Sequence, residues 1–256
     1  MISVLEAIVL AVVQGLTEWL PISSSGHLVI LQQLFNIQVS VAFDVMLHLG
    51  TLLAVLLFLR KDIIKILKSF LSLNFASSEA KLGFYVLCGT LPVAVIGLLF
   101  KSFFESLFSV LPAVGIALMI NGAIIFFTQF FKPKRKINFL DSLFIGIAQA
   151  FSIIPGISRS GSTISMAIFR GVDRKTAYKF SFLLSILAIL GASLIEFGEI
   201  NFAQESMETI ALGIAVSAFV GYFALKTVAN AVLTGDFHKF AYYCWLVGIA
   251  VLFLSL

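Results

Sequence analysis

The sequence predicts an all-α membrane protein with six transmembrane helices plus two re-entrant helical hairpins in an inverted-topology repeat. Three observations carry this expectation. Of the 256 residues, 60% are hydrophobic and only 12% are charged, whereas about a quarter of a soluble domain is charged. Apolar runs near the bilayer-spanning length recur from end to end. Two of those runs are interrupted by breaks rich in Pro, Gly and Ser, and each break is followed by an apolar piece too short to cross.

Taken in order, residues 2–20 form an apolar run that carries Glu6, Gln14 and Glu18. Pro21-Ile22-Ser23-Ser24-Ser25-Gly26 breaks it, and a short piece follows at 27–35. Full spans are expected at 41–59, 82–100 and 107–131. Residues 139–154 then repeat the opening pattern, with a break at Pro155-Gly156-Ile157-Ser158-Arg159-Ser160-Gly161 and a short piece at 162–169. Three more spans are expected at 177–198, 207–229 and 240–256. A nine-residue helix rises only about 13 Å, too little to cross a bilayer. Irregular backbone at membrane depth must be buried in protein or line a wet cavity. Each broken region therefore reads as a hairpin that enters and leaves on one side.

Charge supports the count. With two hairpins and six spans, the connections 60–81, 132–138, 170–179 and 226–239 share one face, and they hold 15 of the 17 Lys and Arg. The opposite face carries the acidic loop with Glu199, Glu205 and Glu208. The positive-inside rule makes the basic face cytoplasmic and puts both termini outside. Met1 to Ala7 contains no Lys or Arg, so it does not read as a secretory signal. The net charge of +4 is explained by these connections and does not suggest nucleic acid. Cys88 and Cys244 sit inside apolar runs and are expected as buried thiols.

The two breaks resemble each other. Gln14 is followed nine positions later by Ser23-Ser24-Ser25-Gly26, and Gln149 nine positions later by Ser158-Arg159-Ser160-Gly161. Each unit continues with a short helix and three spans. Three is odd, so the second copy must be inverted, giving one membrane domain made of repeats at about 1–131 and 139–256. In such repeats, broken helices of both halves meet near the midplane and form the site.

The second break has the makings of a phosphate cradle. A helix N-terminus attracts anions. The planar fork of Arg159 matches phosphate oxygens, and Ser158, Ser160, Ser162 and Thr163 supply hydroxyl donors. Gly156 and Gly161 let backbone approach a ligand. Plain capping is the bland alternative, but an Arg at membrane depth is costly without a partner. The first break supplies reactive groups. Glu18 lies four residues after Gln14, so both project from one helix face. Glu18 can act as a general base, hold a divalent cation, or pair with Arg159. Ser24 and His27 are both candidate nucleophiles. Asp44 and His48, spaced i,i+4, read as a structural pair more than as part of a site.

These residues resemble a known family. Gln14-Gly15-Leu16-Thr17-Glu18 looks like its first motif, and Pro21 to His27 follows as in the family. Pro155-Gly156-Ile157-Ser158-Arg159-Ser160-Gly161-Ser162-Thr163 is similar to its second motif. The family is that of the undecaprenyl-diphosphate phosphatases of the bacitracin-resistance type. Two departures are visible. Ser25 stands where Thr is frequent, and Gln14 stands where many members have Glu, which weakens an acid–base role there. The resemblance implies hydrolysis of undecaprenyl diphosphate to the monophosphate and phosphate, recycling the lipid carrier for cell-wall polysaccharide on the outer face of the cytoplasmic membrane. It implies catalytic Glu18, Ser24, His27 and Arg159, with Gln14, Ser25, Ser158, Ser160, Gly161 and Thr163 binding substrate. It also implies Mg²⁺ or Ca²⁺, with Glu18 as the candidate ligand and no dedicated metal motif in view. The expected partners are the polyprenyl diphosphate lipid, the membrane and a second copy in a homodimer, with no organic cofactor. The rival reading is a lipid flippase or transporter, since inverted repeats with broken helices also build carriers.

Overall fold

The computed structural model describes residues 3–35, 40–196 and 206–255. Within them the chain forms twelve α-helices and no β-strand. Those of the first half are α1 (Val4–Trp19), α2 (Ser24–Phe35), α3 (Val41–Phe58), α4 (Arg60–Leu71), α5 (Ser78–Leu99), α6 (Lys101–Leu107) and α7 (Leu111–Phe127). The second half contributes α8 (Phe139–Phe151), α9 (Arg159–Phe169), α10 (Arg174–Glu196), α11 (Met207–Thr234) and α12 (Phe240–Leu254). Glu199 and Glu205, on which part of the charge argument rests, lie outside the described residues.

Among the described residues five helical stretches are long and apolar enough to cross a membrane: α5, α7 with the 3₁₀ turn that continues it, α10, α11, and α12 with the 3₁₀ turn before it. A further span is available from α3, which together with α4 makes a pair bent by 76°. The chain is thus a multi-pass membrane protein.

Burial runs inside out relative to a soluble protein. Leu5, Leu98, Phe219, Leu246 and Phe253 are exposed, as lipid contact demands, while Gln14, Glu18, Thr51, Asn121, Asp141, Gln149 and Ser217 are buried. In lipid there is no hydrophobic gain from packing helix on helix. Close approach of small residues and interhelical hydrogen bonds do that work instead.

Two elements differ from the sequence expectation. Residues 60–81 were expected as a plain connection, but they hold α4, whose side chains are none of them buried. Its apolar residues Ile63, Ile66, Leu67 and Phe70 recur at helical spacing between Arg60, Lys61, Lys65 and Lys68, so it is amphipathic. The expected span 107–131 instead begins at Leu111, because Val110 and Pro112 start a new helix after the short α6.

Packing exchanges elements between the halves. α1 runs along α11, and α8 runs along α5. α1, ahead of the first break, and α8, ahead of the second, are therefore each held along a long helix from the other half of the chain. Glycine makes the second crossing possible: a Cβ on Gly146 of α8 would lie 2.2 Å from the carbonyl oxygen of Gly89 on α5. At the first crossing, a Cβ on Gly15 would lie 2.9 Å from the carbonyl oxygen of Ser217 on α11. Near the basic end, the buried Asp141 accepts from Nη1 and Nη2 of Arg135 at 2.5 and 2.6 Å, and from Arg170 Nε at 3.0 Å. This ties the 132–138 connection to the start of α8 and the end of α9.

Candidate active site

The first break begins where α1 runs out. Pro21 has no N–H to continue the helical ladder, and Ser23 turns the chain with φ +70°. A non-glycine residue in the left-handed region is strained and persists only when its surroundings hold it. Here they do. Ser23 Oγ accepts from the Gly26 amide at 3.2 Å, as an N-capping oxygen does, and from the Gly156 amide of the other break at 3.1 Å. Gly156 itself has φ +103°, and a Cβ there would lie 2.6 Å from the Val114 carbonyl oxygen. At both its conformation and its space, only glycine fits.

A second tie comes from α7. Asn121, fully buried, donates to the Pro21 carbonyl at 2.9 Å and accepts from the Ser158 amide at 3.0 Å. One side chain thus holds both breaks in register. Asn121 was not anticipated as part of the site. An amide in the middle of an apolar span was the available signal.

The sequence motifs lie further inside helices than expected. α2 begins at Ser24 and α9 at Arg159, so each short helix starts about three residues early. The cause in α9 is the cap: Ser158 Oγ accepts from the Gly161 amide at 3.1 Å. That N–H, which the cradle expectation reserved for an anion, is used by the protein's own cap. Ser160 Oγ lies 3.1 Å from Ser158 Oγ. Thr163 Oγ1 donates to the Arg159 carbonyl at 2.7 Å and lies 2.6 Å from Ser181 Oγ. Ser160, Gly161 and Thr163 are thus fully buried or nearly so and stiffen the first turns of α9.

What the breaks bring together is Glu18. Its Oε1 accepts from Arg159 Nη2, and its Oε2 accepts from Ser24 Oγ at 2.7 Å and from Gln14 Nε2 at 3.1 Å. His48 Nε2 of α3 stands 3.8 Å from the same Oε2. The guanidinium carbon of Arg159 lies 5.1 Å from the centre of the Trp19 ring, a cation–π contact that fixes the plane of the fork. Among the described residues, Arg159 Nη1 is buried without a hydrogen-bond partner. These groups open onto a cavity of about 290 Å³ whose polar lining includes Glu18, Ser23, Ser24, Ser25, His48, Gln149, Ser158 and Arg159.

Three placements differ from the reading of the sequence. The i,i+4 spacing of Asp44 and His48 favours a structural pair over a place at the site, but His48 Nδ1 contacts the Asp44 backbone oxygen at 2.8 Å, and the residue lines the cavity with Nε2 beside Glu18. His27 points elsewhere: Nδ1 is 2.7 Å from the Ser23 carbonyl oxygen and Nε2 is 2.9 Å from Tyr243 Oη, and it does not line the cavity. Gln149, which entered only as the counterpart of Gln14, lines the cavity.

The residues do not form a metal cage. Among the described residues no three His, Cys, Asp or Glu side chains gather, and both oxygens of Glu18 already accept hydrogen bonds. Both cysteines are free thiols. Cys244 is buried, and Cys88, expected to be so too, is only half-buried.

Fold and site together define a polytopic membrane protein with a buried carboxylate–hydroxyl pair set against a guanidinium fork, an arrangement suited to phosphoryl chemistry on a lipid. The family model described as bacitracin resistance protein BacA matches residues 7–250, and the chain belongs to that family. It is 42% identical to an undecaprenyl-diphosphatase of Korarchaeum cryptofilum, over 97% of this chain and 98% of the relative. An undecaprenyl-diphosphatase of Carboxydothermus hydrogenoformans is 41% identical, over 98% of this chain and 97% of the relative. One from Methanobrevibacter smithii is 38% identical, over 97% and 96%.

Proposed function

We propose that the chain hydrolyses undecaprenyl diphosphate to the monophosphate and inorganic phosphate, recycling the lipid carrier of cell-wall synthesis and conferring resistance to bacitracin. The observation that carries this is the contact of Ser24 Oγ with Glu18 in a cavity fronted by Arg159. A hydroxyl needs a base to become a nucleophile, and the transferred phosphoryl group needs fixed positive charge around it.

The steps follow from these contacts. The diphosphate enters the cavity and engages Arg159, whose Nη1 is already unpaired. Its charge competes with Glu18 for the guanidinium and frees the carboxylate. Ser24 Oγ attacks the terminal phosphorus while its proton passes to Glu18, and the bond to the lipid monophosphate breaks. Glu18 passes that proton to the departing monophosphate oxygen; water then attacks the phosphoserine with the freed carboxylate again as base, and the proton it takes moves to Ser24 Oγ as the phosphate leaves. Attack by His27 is the alternative. It is the weaker one because both ring nitrogens are engaged outside the cavity. Were a divalent cation bound, as the resemblance implies, Glu18 would be the residue to hold it, and the ion would offset negative charge on the diphosphate.

Two arrangements belong to the same proposal. The halves at 1–131 and 139–256 form an inverted repeat of six spans and two re-entrant hairpins, supported by the reciprocal packing of α1 on α11 and α8 on α5. The protein sits in the cytoplasmic membrane with its cavity toward the outer face, supported by the basic connections. Single cysteines replacing the exposed Lys134 and Glu208, in a chain lacking Cys88 and Cys244, test the orientation. An impermeant thiol reagent added to intact cells should label position 208 and spare 134. The reverse pattern overturns it.

The activity is tested with purified protein in detergent, where no gradient exists to drive a carrier. Release of phosphate from a lipid diphosphate is expected. A phosphoenzyme trapped with substrate should survive acid if it is phosphoserine, and survive only alkali if it is phosphohistidine. No hydrolysis under these conditions would favour the flippase or transporter reading.

A further inference from the structure

Given hydrolysis of a lipid diphosphate in this cavity, we propose that Gln149 is a substrate-binding residue whose side-chain amide donates to the phosphate that is transferred, beside Arg159. Four observations converge on it. Gln149 is 1% exposed, yet it lines the cavity that holds Glu18, Ser24 and Arg159. Among the described residues neither its Nε2 nor its Oε1 has a hydrogen-bond partner. Arg159 Nη1, on the wall of the same cavity, is equally unpaired. The residue's backbone is held, because Ser152 Oγ donates to the Gln149 carbonyl at 2.6 Å where α8 ends.

A buried amide with both ends unsatisfied is unfavourable unless a ligand completes it. The chemistry of the missing partner can be narrowed. An ionised phosphate only accepts hydrogen bonds, so it can satisfy Nε2 and Arg159 Nη1 together but not Oε1. Oε1 then faces a donor, either water or a cavity hydroxyl. An uncharged donor adds hydrogen bonding without drawing a proton from the nucleophile or pairing with Glu18. That separates it from its counterpart Gln14, which spends its Nε2 on Glu18 at 3.1 Å and does not line the cavity. The two glutamines of the motif thus divide the labour: one steadies the base and the other holds the phosphate.

The test uses the full-length protein in detergent, comparing wild type with Gln149→Met and Gln149→Glu. Met keeps the length and loses the donor. Glu keeps the shape and places negative charge against the phosphate. Inorganic phosphate is the probe for the transferred group, read as a competitive inhibitor and by its shift of the thermal midpoint. We expect Gln149→Met to lower kcat/KM about 10- to 100-fold and to raise the phosphate inhibition constant by a similar factor, as removal of a hydrogen bond to a charged group does. Gln149→Glu should lose more on both counts, with both proteins eluting as folded wild type does.

Wild-type kinetics and phosphate inhibition in both variants would overturn the proposal. So would a loss of turnover with phosphate inhibition unchanged, which would make Gln149 a structural residue or a contact to the lipid-proximal phosphate. If wild type itself hydrolyses no lipid diphosphate, the phosphatase reading fails separately. Thermal protection by phosphate then decides: protection of wild type that is lost in Gln149→Glu supports the binding role, and equal or absent protection overturns it.

Discussion

The two breaks share a plan and differ in chemistry. Both place a proline a few residues after a helix ends, turn through a residue of positive φ, and start a short helix with a Ser-rich turn. The first carries the carboxylate and the hydroxyl of Glu18 and Ser24, and the second carries the guanidinium of Arg159. Neither is a site alone. A carboxylate buried without a counter-charge, or a guanidinium buried without one, carries a large desolvation cost, so each break needs the other in order to be buried. Folding and chemistry are coupled here: the ion pair that joins the two breaks is also, in the proposed mechanism, the pair that substrate divides.

The deepest way to break this division is at the first region. Ser24→Ala and Glu18→Gln should each cut turnover about a thousandfold or more, as loss of a nucleophile or its base does, measured as phosphate release from lipid diphosphate. Substantial turnover by Ser24→Ala, with no trapped phosphoenzyme, would replace Ser24 by direct attack of water. In the second region, Arg159→Ala should lose about 10² to 10³ in rate, the loss typical of removing a group that stabilises transition-state charge. Arg159→Lys should recover little, because a point charge does not replace a fork that spans Glu18 and phosphate. Near-normal rates in Arg159→Lys would reduce its role to charge alone.

Between the regions, Asn121→Ala removes the tie to Pro21 and Ser158 and should cost about 1–3 kcal/mol of stability through unpaired buried backbone groups. A lowered thermal midpoint in detergent measures it, and an unchanged midpoint would mean the breaks are held by Ser23 and Gly156 without it. The smallest expected effect is Tyr243→Phe, which removes the hydroxyl facing His27. A single hydrogen bond of this kind is worth about a tenfold loss at most. A loss as deep as that of Ser24→Ala would move the attack to His27.

Much of this was legible in the residues themselves. Glu18 and Arg159 stood out because an ionised side chain within an apolar run has to have a reason. The long helices α5, α10 and α11 followed from unbroken apolar length. α4 was passed over because its charge density reads as a connection, although its apolar residues keep helical spacing. His48, Asn121 and Gln149 were harder, since what they do depends on which helix lies opposite. His48 reaches Glu18 only because α3 packs against α1, and Asn121 joins two breaks 100 and 37 residues away along the chain. Such distances leave no local pattern.

The close crossings of α1 on α11 and of α8 on α5 have a mechanical consequence. Carriers alternate by rocking one half against its mate, which requires an interface that slides or opens. In this protein any such swing would drag α8 across α5 where a Cβ on Gly146 would already lie 2.2 Å from the Gly89 carbonyl oxygen, and α1 across α11 at Gly15. Both crossings would have to part at once. Two close backbone crossings therefore stand against any such swing.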